Sequence, residues 1–191
     1  KEVLSFNLPL DIICTSHGII WRDKPEQIVE RYLKWADNYQ ENQITIIYDT
    51  MWNGTRVMAE KIANGISDAD KEVNVKLFNL ARTDIGELAI ALVDAATIVI
   101  GSPTVLVGPH PSAVYAAYLA NALKPKARFA SVIGSYGWGS KMVEQLAGML
   151  PNLQVEILAP VVAQGLPKAA DYQALDTLAE TIAAKHRELQ L

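Results

Sequence analysis

Between Tyr48 and Ile66 the chain reads YDTMWNGTRVMAEKIANGI: an apolar run stops, a short polar loop follows, and a helical pattern begins at once. The loop holds Thr50, Met51, Trp52, Asn53, Gly54 and Thr55. Hydroxyls at the mouth of a helix suit an anion, because the first-turn N–H groups have no partner within the helix and its dipole favours negative charge there. Thr55 is the expected cap of that helix. The loop has no Lys, the triphosphate signature G-x-x-x-x-G-K-[ST] is absent, and the dinucleotide signature G-x-G-x-x-G is missing from this junction. What remains is a grip on one phosphate monoester without a cation. A plain capped turn uses the same residue types. Trp52 separates the two readings, since a tryptophan at an exposed loop tip implies something for it to cover.

Two further loops carry residues of the same kind. GSPTVLVGPHP (101–111) holds Ser102, Pro103 and Thr104 in a stretch stiffened by prolines at 103, 109 and 111. GSYGWGS (134–140) holds Ser135, Tyr136, Gly137, Trp138 and Gly139. Its glycines let backbone approach a ligand closely, and its aromatics offer flat faces. A planar heteroaromatic ring with a phosphate tail uses all three loops at once, and FMN is the simplest such ligand. Other reactive residue types read as structural. His17 is a solvated turn histidine, and His110 is a loop residue between two prolines. His186 starts an H-x-E in the last helical turn with no Asp-His after it. Three scattered histidines cannot assemble a two-metal site. Cys14 is expected to pack, inert, in a short strand. Asp49 is expected to order its loop, and Arg56, Arg128 and Lys141 to be solvated.

Positioning those loops requires regular elements. From Gln43 onward strands read at 44–48, 74–78, 97–101, 128–134 and 154–160, with helical patterns at 55–66, 84–94, 111–123, 139–150 and 171–189. Strands alternating with helices predict an α/β fold, and the continuously apolar ITIIY and TIVIG predict doubly buried strands. The expected architecture is a flavodoxin-like, doubly wound, five-stranded parallel sheet of order 2-1-3-4-5 with helices on both faces. Its ligand crevice lies outside the carboxyl ends of the strands, where the three loops sit. Residues 1–42 read differently. DIICTSHGIIWRD holds two short apolar runs around a turn at Ser16-His17-Gly18, and Pro25 then opens a helix striped by Ile28, Val29, Tyr32, Leu33 and Ala36. The polar NYQENQ (38–43) is the expected boundary, giving segments 1–42 and 43–191.

Half of the 191 residues are hydrophobic and a fifth are charged, enough for a proper core. The net charge of −4 argues against nucleic acid as a partner. One cysteine excludes an internal disulfide and points to a reducing cytoplasm. No apolar run approaches the roughly 20 residues that cross a bilayer, so no membrane partner is expected. A start at Lys1 reads as a fragment or as numbering from inside a longer chain.

YDTMWNGTRVMAEKIANGI, GSPT…GPHPS and GSYGWGSKMVEQL closely resemble the C-terminal flavodoxin-like domain of flavodiiron proteins (A-type flavoproteins, including flavorubredoxin). LDIICTSHGIIWRDKPEQIVERYLKWA resembles the end of their metallo-β-lactamase-like domain and the linker out of it. By that resemblance Thr50 to Thr55 match the FMN phosphate loop. Ser102, Pro103 and Thr104 match the second flavin loop, and Ser135 to Gly139 the third. Trp52 and Trp138 are expected to flank the ring. His17 matches the last iron-ligating histidine of a di-iron site whose other ligands lie upstream of these residues in the family. Val105, Leu106 and Val107 stand where the family often has Asn residues, and Ser140 replaces a common glycine.

The resemblance implies an FMN-binding electron-transfer module of a cytoplasmic oxidoreductase. Electrons would pass from rubredoxin or a similar donor, via FMN, to a di-iron centre that reduces O₂ to water or NO to N₂O, across a head-to-tail homodimer. Three alternatives stand beside it: a stand-alone flavodoxin-like carrier, an NAD(P)H-dependent quinone or flavin reductase, and a scaffold that has lost the flavin. Ordinary flavodoxins are more acidic and lack the SHGIIWR extension, which counts against the first.

Overall fold

In the computed structural model, residues 3–6, 9–37 and 39–191 are described. The chain divides into two units between Tyr39 and Gln40. Asn38, the start of the expected polar boundary, lies outside the described residues.

In the first unit β1 (Ile13–Cys14) pairs antiparallel with β2 (Ile20–Trp21), with Ile13 opposite Trp21. Gly18 takes φ +94° in the turn between them, a conformation glycine adopts at no steric cost. Thr15 Oγ1 donates to the His17 carbonyl at 2.6 Å. Helix α1 (Glu26–Ala36) follows with Pro25 at its N-cap. Ile28, Val29 and Leu33 of its expected stripe are half-buried, whereas Tyr32 and Ala36 are exposed. Cys14 is a correction: it lies in the expected short strand but is exposed, because only one face of this two-residue strand is covered.

The second unit runs β3 (Glu41–Tyr48), α2 (Gly54–Ala69), β4 (Asn74–Asn79), α3 (Ile85–Val93), β5 (Ala95–Val105), β6 (Gly108–Pro109), α4 (Pro111–Leu123), β7 (Phe129–Tyr136), α5 (Met142–Gly148), β8 (Glu156–Ile157), β9 (Val161–Gln164) and α6 (Ala169–Glu188). Its parallel core has the order β4-β3-β5-β7, with β8 and β9 both on the outer edge of β7. This is the expected 2-1-3-4-5 arrangement. The two-residue alternation of β3 sorts the core. Ile44 and Ile46 face α2 and α6 with Met58, Ile62, Leu175 and Ile182, while Ile47 joins Leu88, Leu92, Ile98, Ile100 and Leu146 on the opposite face. On that second face α4 presents Ala113, Ala116, Ala117 and Ala120, all buried, at helical spacing.

Among the boundaries that differ from the sequence expectation, three have a local cause. β3 begins at Glu41 rather than 44, drawn into pairing opposite Ala95. The fifth strand is interrupted: Ala130 pairs with Ile157 but Ile133 with Val161, so the edge strand carries one extra residue. Pro160 lies at that bulge, where its missing N–H costs no ladder bond. Helix α5 spans only Met142–Gly148, because Ser140 Oγ is held by Thr104 Oγ1 at 2.8 Å and accepts the Met142 N–H at 3.1 Å.

At the other end of the sheet His186, the expected terminal-helix histidine, is fully buried. Nδ1 lies 2.8 Å from Asn42 Oδ1 and Nε2 lies 2.7 Å from Thr97 Oγ1. An amide oxygen only accepts, so Nδ1 carries the proton and Nε2 accepts from the threonine. Burial pushes its pKa down to about 4, with Asp70 opposing.

Candidate functional site

The carboxyl ends of β3, β5, β7 and β9 open into a cavity of ≈ 390 Å³ lined by Thr50, Met51, Trp52, Gly54, Thr55, Pro103, Thr104, Ser135, Tyr136, Gly137, Gly165 and Leu166. None of these residues is charged. Arg56, the first cation of α2, is held by Glu60, with Nε to Oε1 at 2.7 Å. Asn53, at φ +64°, is the N-cap of α2, and no side-chain hydrogen bond caps the helix. This corrects the expectation for Thr55, which is the second helical residue and buried rather than the cap. The left-handed turn at Asn53 places the cap two residues earlier and directs the Thr55 side chain inward.

Among the described residues, two buried side-chain polar atoms have no hydrogen-bond partner, Thr50 Oγ1 and Thr55 Oγ1. Both residues line the cavity. A buried hydroxyl left unpaired costs about 1–3 kcal/mol, so two in one loop at an uncapped helix mouth mark a place built for an acceptor-rich group. The residues present fit the phosphate of FMN: two hydroxyl donors and first-turn amides, without a cation.

The other expected site residues divide. Pro103, Thr104, Ser135, Tyr136 and Gly137 line the cavity, as do Met51, Trp52 and Gly54. Ser102 does not, because its hydroxyl is spent inside the protein, accepting from His110 N at 2.8 Å and donating to Pro103 O at 2.8 Å. Asn53, Trp138 and Gly139 are also off the wall; Trp138 is 94 % exposed at the loop tip, and Trp52 is 85 % exposed. Gly134 was expected to admit a ligand. A Cβ there would instead meet the Ser102 carbonyl oxygen at 2.0 Å, so the glycine admits the neighbouring strand. Gly165 and Leu166 went unread in the sequence. They follow β9, and the Gly-Leu-Pro that closes VVAQGLP was the available signal. The loops are tied to one another, with Gly165 N donating to Tyr136 O at 2.8 Å, Gln164 Nε2 to Gly137 O at 2.9 Å and Lys141 N to Val107 O at 2.7 Å.

Val105, Leu106, Val107 and Gly108 form a two-residue hairpin between β5 and β6. Leu106 and Val107 take φ +47° and +74°, and Leu106 is 97 % exposed. No side-chain polar group is available there for a ligand.

The residues do not fit a di-iron site. Among those described, no three His, Cys, Asp or Glu gather into a metal-binding group. His17 is exposed in the β1–β2 turn. Among the described residues no helix is long and apolar enough to cross a membrane.

A doubly wound sheet with a cation-free phosphate cradle at its carboxyl edge defines the class, and a family profile described as flavodoxin matches residues 46–181: the chain belongs to the flavodoxin family. Family membership implies FMN as cofactor. Its relatives are more particular. The anaerobic nitric oxide reductase flavorubredoxin of Aliivibrio fischeri is 43 % identical over 167 residues, 87 % of this chain and 34 % of its own length. The solved structure of rubredoxin oxygen:oxidoreductase from the anaerobe Desulfovibrio gigas aligns with a TM-score of 0.86 at 28 % identity, over 98 % of this chain and 47 % of that one. A flavodoxin from the domain Archaea shares the fold with a TM-score of 0.65 at 24 % identity, over 76 % of this chain and 99 % of that one. The chain therefore spans about a third of the length of the curated relatives it matches. The A. fischeri and D. gigas relatives are of the kind that the SHGIIWR and YDTMWNGT motifs resemble.

Proposed function

We propose that this chain is the FMN-binding electron-transfer module of a flavodiiron oxidoreductase. The observation that carries the reading is the pair of unpartnered buried hydroxyls, Thr50 Oγ1 and Thr55 Oγ1, in the cavity wall at the mouth of α2. When bound, FMN supplies one- and two-electron transfer. The chain's residues do the rest. Thr50, Thr55 and the first-turn amides of α2 hold the phosphate. Pro103, Thr104, Tyr136 and Gly137 wall the ring's pocket, and Trp52 covers it at the rim. Asn53 shapes the loop; Ser102, in β5, and Trp138 and Gly139, in the loop after β7, stand beside the cavity without lining it.

In the longer protein, residues 1–42 are the end of a metallo-β-lactamase-like domain and the linker out of it, with His17 one ligand of its irons. The electron donor is rubredoxin or a similar protein, the acceptor is O₂ or NO at the di-iron centre, and the assembly is a cytoplasmic homodimer. The names of the A. fischeri and D. gigas relatives support the rubredoxin-type donor and the NO or O₂ acceptor.

The test is a titration of the purified chain with FMN, read by quenching of flavin fluorescence, beside Thr55→Val. Losing one charge-assisted bond to phosphate weakens binding roughly 10- to 100-fold. Wild-type protein that fails to quench FMN removes the flavin reading altogether.

A further inference from the structure

Asp49 directly follows β3 and is only 6 % exposed, one residue before Thr50 in the loop argued to hold a phosphate. A buried carboxylate beside an anion site repels the ligand, so its use there requires a compensating role. Both of its oxygens are engaged. Oδ1 accepts the Thr50 N–H at 2.6 Å, Oδ2 accepts the Ser112 hydroxyl proton, and His110 Nδ1 lies 3.2 Å from Oδ2. Ser112 Oγ and His110 Nδ1 are 2.7 Å apart. A serine has one hydroxyl proton, and the carboxylate takes it. His110 must then present Nδ1–H to Ser112 Oγ. The 3.3 Å approach of Ser112 N to the same nitrogen is therefore not a second bond of the α4 cap.

The main chain repeats the tie. Asp49 N donates to Gly101 O at 3.1 Å, and His110 N donates to Ser102 Oγ at 2.8 Å. The end of β3 is thus clamped to the end of β5 and to the first turn of α4. One consequence falls on the ligand site. Because the Thr50 N–H is spent on Asp49, Thr50 offers the cavity only its hydroxyl, and that hydroxyl is one of the two without a partner.

Resting on the FMN reading, we propose that Asp49, Ser112 and His110 are positioning residues for the phosphate grip: the carboxylate fixes the Thr50 backbone, Ser112 fixes the carboxylate, and the imidazole N–H fixes Ser112. None of the three touches the ligand. The clamp selects for the phosphate, since what it orients is a phosphate donor and not the wall of the ring pocket.

FMN is compared with riboflavin, the same ring without phosphate, by fluorescence titration of the full chain, with thermal melts alongside. Ser112→Ala removes the bridging hydroxyl, Ser112→Thr restores it, and His110→Asn keeps a good capping residue for α4 while removing the imidazole. The expected result is an about tenfold rise in the FMN dissociation constant for Ser112→Ala, a rise of several-fold for His110→Asn, and near-wild-type affinity for Ser112→Thr. Riboflavin affinity stays within about twofold throughout. FMN and riboflavin weakening in parallel, or FMN binding untouched in both disruptive variants, overturns the proposal and leaves the flavin reading standing. Wild-type protein that binds neither ligand takes both down.

Discussion

His186 is a buried imidazole whose neutral form is the one the fold accommodates, and this ties stability to pH. Burial lowers its pKa from an ordinary value of 6.5 to about 4. In the unfolded chain it takes up a proton below about pH 6.5, whereas the folded protein resists until about pH 4. Its contribution is therefore fully present above the unfolded value and is lost as pH falls from about 6.5 to about 4. The loss is on the order of 3 kcal/mol across the window. His186→Gln has no imidazole to titrate. Urea unfolding at several pH values between 7 and 4 is expected to show a steeper fall for wild type than for the variant; parallel curves would mean the imidazole is solvated. At this scale the sequence is partly legible. Thr50 and Thr55 fall in the cavity wall because strand, loop and helix leave them one place to be. Ser102 and Trp138 neighbour wall residues, but Ser102 lies in β5 with its hydroxyl taking the His110 N–H and Trp138 sits at the tip of the loop after β7, placements that no local pattern encodes.

The β5–β6 hairpin carries a cost of its own. Both central residues of a two-residue turn at positive φ favour Asn-Gly, and this turn has Leu106 and β-branched Val107. Each non-glycine residue held left-handed costs about 1 kcal/mol or more. Leu106 is almost fully exposed, so it returns little packing. Leu106→Asn with Val107→Gly is expected to stabilise the chain by about 1 kcal/mol after the added freedom of glycine in the unfolded state. That corresponds to a rise in Tm of roughly 2–4 °C by calorimetry. A fall in Tm would show that the two side chains make contacts worth more than the strain. The same element explains a miss: VLVG reads as apolar loop, and nothing local announces that β5 runs on to Val105 and folds back. β9 was missed for a related reason, since Pro160 ended the expected strand while the chain resumed pairing one residue out of step.

For the whole molecule, the alternation of apolar strands and striped helices was enough to give sheet order and layers, because burial on both faces of a parallel sheet admits few arrangements. What the pattern underdetermines is how residues 1–39 depend on the rest. Every fully buried hydrophobic side chain described lies between Ile44 and Ala183, inside the unit that starts at Gln40. The flavodoxin match falls within the same limits, and every residue of the cavity wall lies in this unit too. A chain of residues 40–191 is therefore expected to fold cooperatively and to bind FMN within about twofold of the full chain. The first unit, with no buried residue in α1 and a pair of two-residue strands, has too little core to stand by itself. Thermal melting by circular dichroism and an FMN titration on both lengths decide the matter. A broad, non-cooperative transition in the shorter chain would mean that residues 1–39 supply stability the second unit lacks. A sharp transition with weakened FMN binding would instead assign those residues a part in shaping the flavin site.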